Sequence, residues 1–171
     1  MKLPLYAGLV FGLVPVQATL LRHVSVAGVG PDLCLVAACL VGFLGGEIEG
    51  LLVGLALGFV QDLFSAGNVW LNVMTKGAIG LLAGLVGRHV TNATPTIFLR
   101  TLVGLSGLSG LIFLVLVRSE AGWAGYLAAT YSILLPETVF NAAVGAGAYW
   151  LIAGRMRREQ GSQGGLAGFV R

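Results

Sequence analysis

The sequence predicts an all-α integral membrane protein, a bundle of six transmembrane helices with both termini in the cytoplasm. Three observations lead there. Of 171 residues, 57% are hydrophobic and only 10% are charged, and the mean hydropathy is +0.92, far from the balance of a soluble domain. Six apolar runs approach the roughly 17 to 25 residues that a bilayer crossing needs. Glycine recurs at helical spacing, the pattern that lets membrane helices approach closely where no hydrophobic effect drives them together.

The first run, Leu3 to Leu21, is longer than a signal-peptide core, contains Pro15 and Gln17, and lacks a small-x-small site before Arg22, so it reads as a retained helix. The second, Pro31 to Gly45, is the shortest, which suits a tilted helix held by its neighbours or a re-entrant segment. Its Gly30-Pro31-Asp32 opening puts a proline in the first turn and an aspartate at the positive end of the helix dipole. The third and fourth runs, Ile48 to Phe64 and Val69 to Gly87, form a hairpin around a polar turn at Ala66 to Asn68. In the fifth, Ile97 to Val117, Arg100 lies one turn inside and can snorkel to the interface. The sixth runs from Tyr131 to Ala153. Residues 1–154 thus form the helical domain, and 155–171, rich in Gly, Arg and Gln, read as a disordered basic tail.

Basic residues are enriched on the cytoplasmic side of membrane proteins. Six crossings gather Lys2, Arg88, Arg100, Arg155, Arg157, Arg158 and Arg171 on one side and leave Arg22 and Arg118 on the other. The net charge of +3 is therefore first a topology signal, although a basic tail can also touch anionic lipid or an acidic partner.

Depth brings scattered polar residues together. Asp62 lies below the outer turn on the third helix and Lys76 on the fourth, a gap of about 6 Å at 1.5 Å per residue, so the two are expected to pair across the hairpin. Glu137, near the outer end of the sixth helix, is expected to join the same lysine. Gln61, Ser65, Asn68, Asn72, Thr75 and Asn141 add neutral hydrogen-bonding groups. Charges inside a membrane mark ligand pockets, ion paths or docking sites; the plainer use is an ion-pair network that fixes hairpin register.

Gly50, Gly54 and Gly58, then Gly77, Gly80, Gly84 and Gly87, then Gly104, Gly107 and Gly110 form stripes that serve internal packing or a partner interface. Signals for catalysis are weak. Ser106 and Ser109 lie in GLSGLSG, but His23 and His89 fall near opposite membrane boundaries, out of reach as a base. Cys34 and Cys39 are five apart on one helix and read as buried small apolar residues. No metal-ligand spacing, phosphate loop or nucleic-acid motif is present, so no enzyme, cofactor or nucleic-acid partner is expected.

Pro31-Asp32-Leu33, followed by GLLVGLALGFVQDLFS and then LNVMTKGAIGLLAG, resembles the rod shape-determining protein MreD family over roughly residues 31–90. The matching positions are Gly54, Gly58, Asp62, Ser65, Asn72, Gly80 and Gly84; the GGEIEG turn at Gly45 to Gly50 departs from the basic residue expected there. The resemblance implies a non-enzymatic subunit in the bacterial cytoplasmic membrane. It would work with the bitopic protein MreC, the actin-like MreB filament, and a SEDS glycosyltransferase paired with a class B penicillin-binding protein. It also implies that the MreC helix lies on a glycine-bearing face, with Gly54 and Gly58 as candidates. That family is similar in fold to the substrate-binding subunits of energy-coupling-factor transporters, which gives a second expectation: a small-molecule-binding subunit with its pocket on the outer side.

Overall fold

The computed structural model describes residues 2–24, 29–64, 70–90, 94–117 and 122–167, with side chains described for 6–17, 19, 29–64, 70–90, 94–116 and 122–152. Helices α1 (Lys2–Val24), α2 (Leu33–Gly45), α3 (Glu47–Phe64), α4 (Leu71–His89) and α5 (Pro95–Val117) are followed by α6 (Trp123–Ala129), a π turn (Thr130–Leu134) and α7 (Leu135–Ala167). No strand occurs among the described residues. By length and composition, two stretches can cross a membrane, Pro95–Leu116 and Trp123–Ile152; Tyr6–Gln17 and Leu33–Gly45 are shorter apolar helices.

The chain centres on α2, α3 and α4, with α1 laid against α3 and α2, and with α5 and α7 paired and packed on α2 and α4. Glycines set the central spacing. A Cβ on Gly54 would run into the Lys76 carbonyl, one on Gly58 into the Asn72 carbonyl, and one on Gly84 into the backbone of Glu47. Gly42, Gly50 and Gly80 meet at one point, where an added methyl on any of them would strike a backbone carbonyl. Of the two uses expected of Gly54 and Gly58, internal packing or a partner interface, the contacts are those of internal packing: both lie in the α3–α4 contact. Gly77 meets the side chains of Leu55 and Leu51, Gly110 that of Leu134, and Gly104 and Gly107 face open space.

Two apolar clusters flank this layer. Val10, Val14, Cys34, Ala38, Val53 and Leu57 join α1, α2 and α3. Leu35, Cys39, Phe43, Ile79, Phe98, Leu102 and Tyr149 join α2, α4, α5 and α7, with the Phe98 ring 5.4 Å from Phe43 edge-on and 5.1 Å from Tyr149 in a stack. Cys34 and Cys39 are free and buried, one in each cluster.

The helix ends follow local chemistry. Asp32 is the N-cap of α2 and not a first-turn residue, and its carboxylate accepts from Leu35 N at 3.1 Å. Gly46, at φ 101°, makes the α2–α3 turn in a backbone region that favours glycine. The acidic turn that departs from the family pattern has partners of its own: Glu47 pairs with Arg88 at 2.8 Å, and the Tyr6 hydroxyl donates to Glu49. The Glu47 carboxyl is held below the usual glutamate range by the backbone N–H at the start of α3, and next by Arg88. The last rod begins earlier than its apolar run, at Trp123 and not Tyr131. Pro136 has no N–H to continue the ladder, and just before it Leu135 N reaches five residues back to the Thr130 carbonyl, producing the π turn. The backbone then stays helical through Ala167, beyond where the composition predicts disorder; good helix formers at Arg155 to Gln160 carry it on.

Candidate functional site

A single polar network connects all six rods at the end where α2 and α4 begin. Lys76, on α4, is 1% exposed. Helical side chains lean toward the N-terminus of their helix, and this lysine reaches back to Asp32 Oδ2 at 2.8 Å and Asn72 Oδ1 at 2.7 Å. Asp32 holds α1 as well, since Gln17 Nε2 donates to its Oδ1 at 3.4 Å while Gln17 Oε1 accepts from Cys34 N at 3.0 Å. On the far side Asp32 N donates to Asn141 Oδ1, on α7, at 2.7 Å, and Asn141 Nδ2 donates to Ser106 Oγ, on α5, at 2.8 Å.

Asp62 completes the network from α3. Its Oδ2 accepts from Trp70 N at 2.9 Å and Val73 N at 3.1 Å, and its Oδ1 from Asn72 N at 3.3 Å and Asn72 Nδ2 at 2.7 Å. The first turn of a helix leaves several N–H groups without intrahelical partners and carries partial positive charge. A carboxylate placed there by the neighbouring helix satisfies both. Asn72 is the hinge of the arrangement, giving its amide hydrogens to Asp62 and its amide oxygen to Lys76.

The expected Asp62–Lys76 pair is thus corrected. Asp62 is consumed by the α4 N-terminus, and the lysine takes Asp32, with Asn72 standing between them. Glu137 is half-buried and within electrostatic reach of Asp32 and Lys76, but among the described residues no hydrogen bond or ion pair ties it to the lysine. Asn141, fully buried, is in the network. Gln61 is half-buried beside Asp62, and Thr75 turns its hydroxyl back onto the Leu71 carbonyl of its own helix. Ser65 and Asn68 lie outside the described residues, as do the side chains of Lys2, Arg22, His23, Arg118, Arg155, Arg157, Arg158 and Arg171. His89 is exposed at the opposite end, with its ring against the Leu85 carbonyl.

Three members escape sequence reasoning in this role. Asp32 reads as a helix start, Gln17 as an argument against a signal peptide, and Ser106 as a small packing residue. Depth places Asp32, at the head of α2, level with the first turns of α4, and that signal suffices to pair it with Lys76.

Asp32, Asp62, Asn72, Lys76, Asn141 and Gln17 each bond to other groups of this network. Such an arrangement fixes the relative positions of helices; Lys76 and Asn141 present essentially no surface to a ligand. Comparison with protein-family models, with curated proteins and with solved structures finds no match to this chain.

Proposed function

We propose that this chain is a non-enzymatic, multi-pass scaffold in the bacterial cytoplasmic membrane, a subunit of the cell-elongation complex related to the MreD family. It binds MreC and helps couple MreB filaments to the SEDS glycosyltransferase and its class B penicillin-binding protein.

The membrane part of this reading is supported by an inside-out distribution of side chains. Lys76 and the carboxylates of Asp32, Asp62 and Glu137 are buried or half-buried, while Phe64 is 72% exposed and Trp123 86% exposed. The outward face of α3 carries Ile48, Leu52, Phe59 and Leu63, and that of α4 carries Met74, Leu82, Leu85 and Val86. In water these faces would be far larger apolar patches than a monomer tolerates; in lipid they are the natural outer surface. On this reading α1 to α5 and the α6–α7 rod each cross once, and the polar network lies toward the outer leaflet.

The observation that carries the scaffold reading is that the described residues bearing the family resemblance share one task. Gly54, Gly58, Gly80 and Gly84 close the central helices onto each other's backbone, and Asp62 and Asn72 tie the outer ends of α3 and α4. A motif devoted to rigid hairpin geometry suits a part that holds partners in place. The alternative transporter-like reading calls for an open outer pocket, and the outer polar groups here are instead bonded to one another.

The test is complementation. In a rod-shaped bacterium depleted of its own MreD-family subunit, this chain is expected to keep cells rod-shaped and to co-purify with MreC. Round cells with the chain present in the membrane, and no MreC recovered with it, would overturn the proposal.

A further inference from the structure

Among the described residues, Glu137 is the carboxylate of this cluster that has no hydrogen bond or ion pair. Asp32 has Lys76, and Asp62 has four N–H donors. Among the described residues, the other basic side chains, Arg88, His89 and Arg100, lie toward the opposite end of the bundle. Glu137 precedes Asn141 by one helical turn, on the same face of α7, and Asn141 is bonded to the backbone of Asp32. That puts the Glu137 carboxyl about 6 Å along the axis from the point where α7 touches the head of α2. It feels both Asp32 and Lys76. Cys34 and Asp62 are the other titratable groups facing this cluster, from α2 and α3, and neither contributes a cation.

A lysine on a four-carbon stem is the most movable member of this set, whereas Asp32 stands on a short stem held by Leu35 N and Gln17. Its present hold is on α2. We infer that Lys76 is a two-position latch, able to exchange Asp32 on α2 for Glu137 on α7 and so to transfer the grip of α4 from one packed neighbour to the other. The π turn ends three residues before Glu137, and α6 beyond it packs chiefly on that turn, so the outer part of the last rod can follow such an exchange. The network therefore holds two arrangements of the same helices, distinguished by which carboxylate carries the lysine.

A double-mutant cycle tests this in detergent-solubilised full-length protein. Asp32→Asn keeps a good N-cap residue and removes only the charge, and Glu137→Gln is isosteric. Each single variant is expected to stay folded because Lys76 moves to, or remains on, the surviving carboxylate. The double variant strands the lysine, and its folded-to-unfolded ratio is expected to fall about tenfold below the product of the two single effects. Spin labels at the exposed positions Ala78 and Val139 supply the second measurement: Asp32→Asn is expected to shorten the α4–α7 distance, and the added Glu137→Gln to abolish that shortening. Strictly additive losses, or an α4–α7 distance indifferent to Asp32→Asn, would overturn the latch.

Discussion

Asp62 holds Trp70 in a left-handed conformation: the carboxylate accepts from Trp70 N at 2.9 Å, and Trp70 sits at φ 90°. A non-glycine residue there costs about 1 to 3 kcal/mol and persists only where its surroundings over-determine it. The same carboxylate takes Asn72 N and Val73 N, so the turn and the helix start are one unit.

Asp62→Leu is therefore expected to lower stability by about 3 kcal/mol or more, since hydrogen bonds to a charged group contribute about 1.5 to 3 kcal/mol each and the backbone donors are left bare. Trp70→Gly relieves the strained backbone and loses only an exposed indole; after the greater entropy of an unfolded glycine is subtracted, stability should change by less than about 1 kcal/mol in either direction. Thermal unfolding in detergent distinguishes them.

Lys76→Met strands the Asp32 carboxylate, and breaking a buried pair commonly costs about 3 to 5 kcal/mol. The identity of the second substitution that repairs this reports the partner. Asp32→Asn added to Lys76→Met should recover much of the loss, whereas Asp62→Asn added to it should not. Recovery by Asp62→Asn alone would restore the hairpin pairing that the sequence predicts.

Gly54→Ala and Gly58→Ala push a methyl group into a backbone carbonyl of α4, which no rotamer change relieves. Both should reduce folded yield, before any partner is present. Gly104→Ala and Gly107→Ala, with nothing near the new methyl, should leave the monomer unchanged in the same assay.

Glu47 gives a pH signature at the other end. Its folded value lies below the ordinary 4.5, with the backbone N–H of the helix start as the leading cause and Arg88 behind it. A depressed folded value means that its contribution is complete above the unfolded value and is lost as pH falls through the folded one. Carboxyl carbon NMR should show Glu47 titrating below 4.5, and Arg88→Gln should bring it only part of the way back. A full return would make Arg88, not the helix start, the main cause.

The proposed topology of six crossings would put Trp70 and Trp123 outside and His89 inside. Single cysteines at these positions, in a background with Cys34 and Cys39 replaced by alanine, should label from opposite faces of spheroplasts. Labelling of 70 and 89 from one face would show that α4 does not cross.

The helices were largely legible because apolar runs and their polar breaks are local features: α2 through α5 begin and end within two residues of their runs. The start of the last rod was not, since WAGYLAA is short and lies ahead of the apolar run that begins at Tyr131, to which a π turn joins it. In the site, depth arithmetic found Asp62, Asn72, Lys76 and Asn141 as neighbours. It misassigned the bonds because it counted charges and ignored the unpaired N–H groups at the head of α4, which compete for Asp62 as strongly as an ammonium does. The glycine stripes were visible, but which face each serves depends on rotation about the helix axis, and three stripes with similar spacing turn out to have different surroundings.

The contact of Gly42, Gly50 and Gly80 has a mechanical consequence. Main-chain atoms of three helices bear directly on one another there, with no layer of side chains to compress, so α2, α3 and α4 act as a stiff plate. The α6 end of the last rod, bounded on one side by a π turn, is the compliant member. Lateral load on such a body is not shared evenly; it bends the outer part of the last rod and leaves the spacing of the plate as it was.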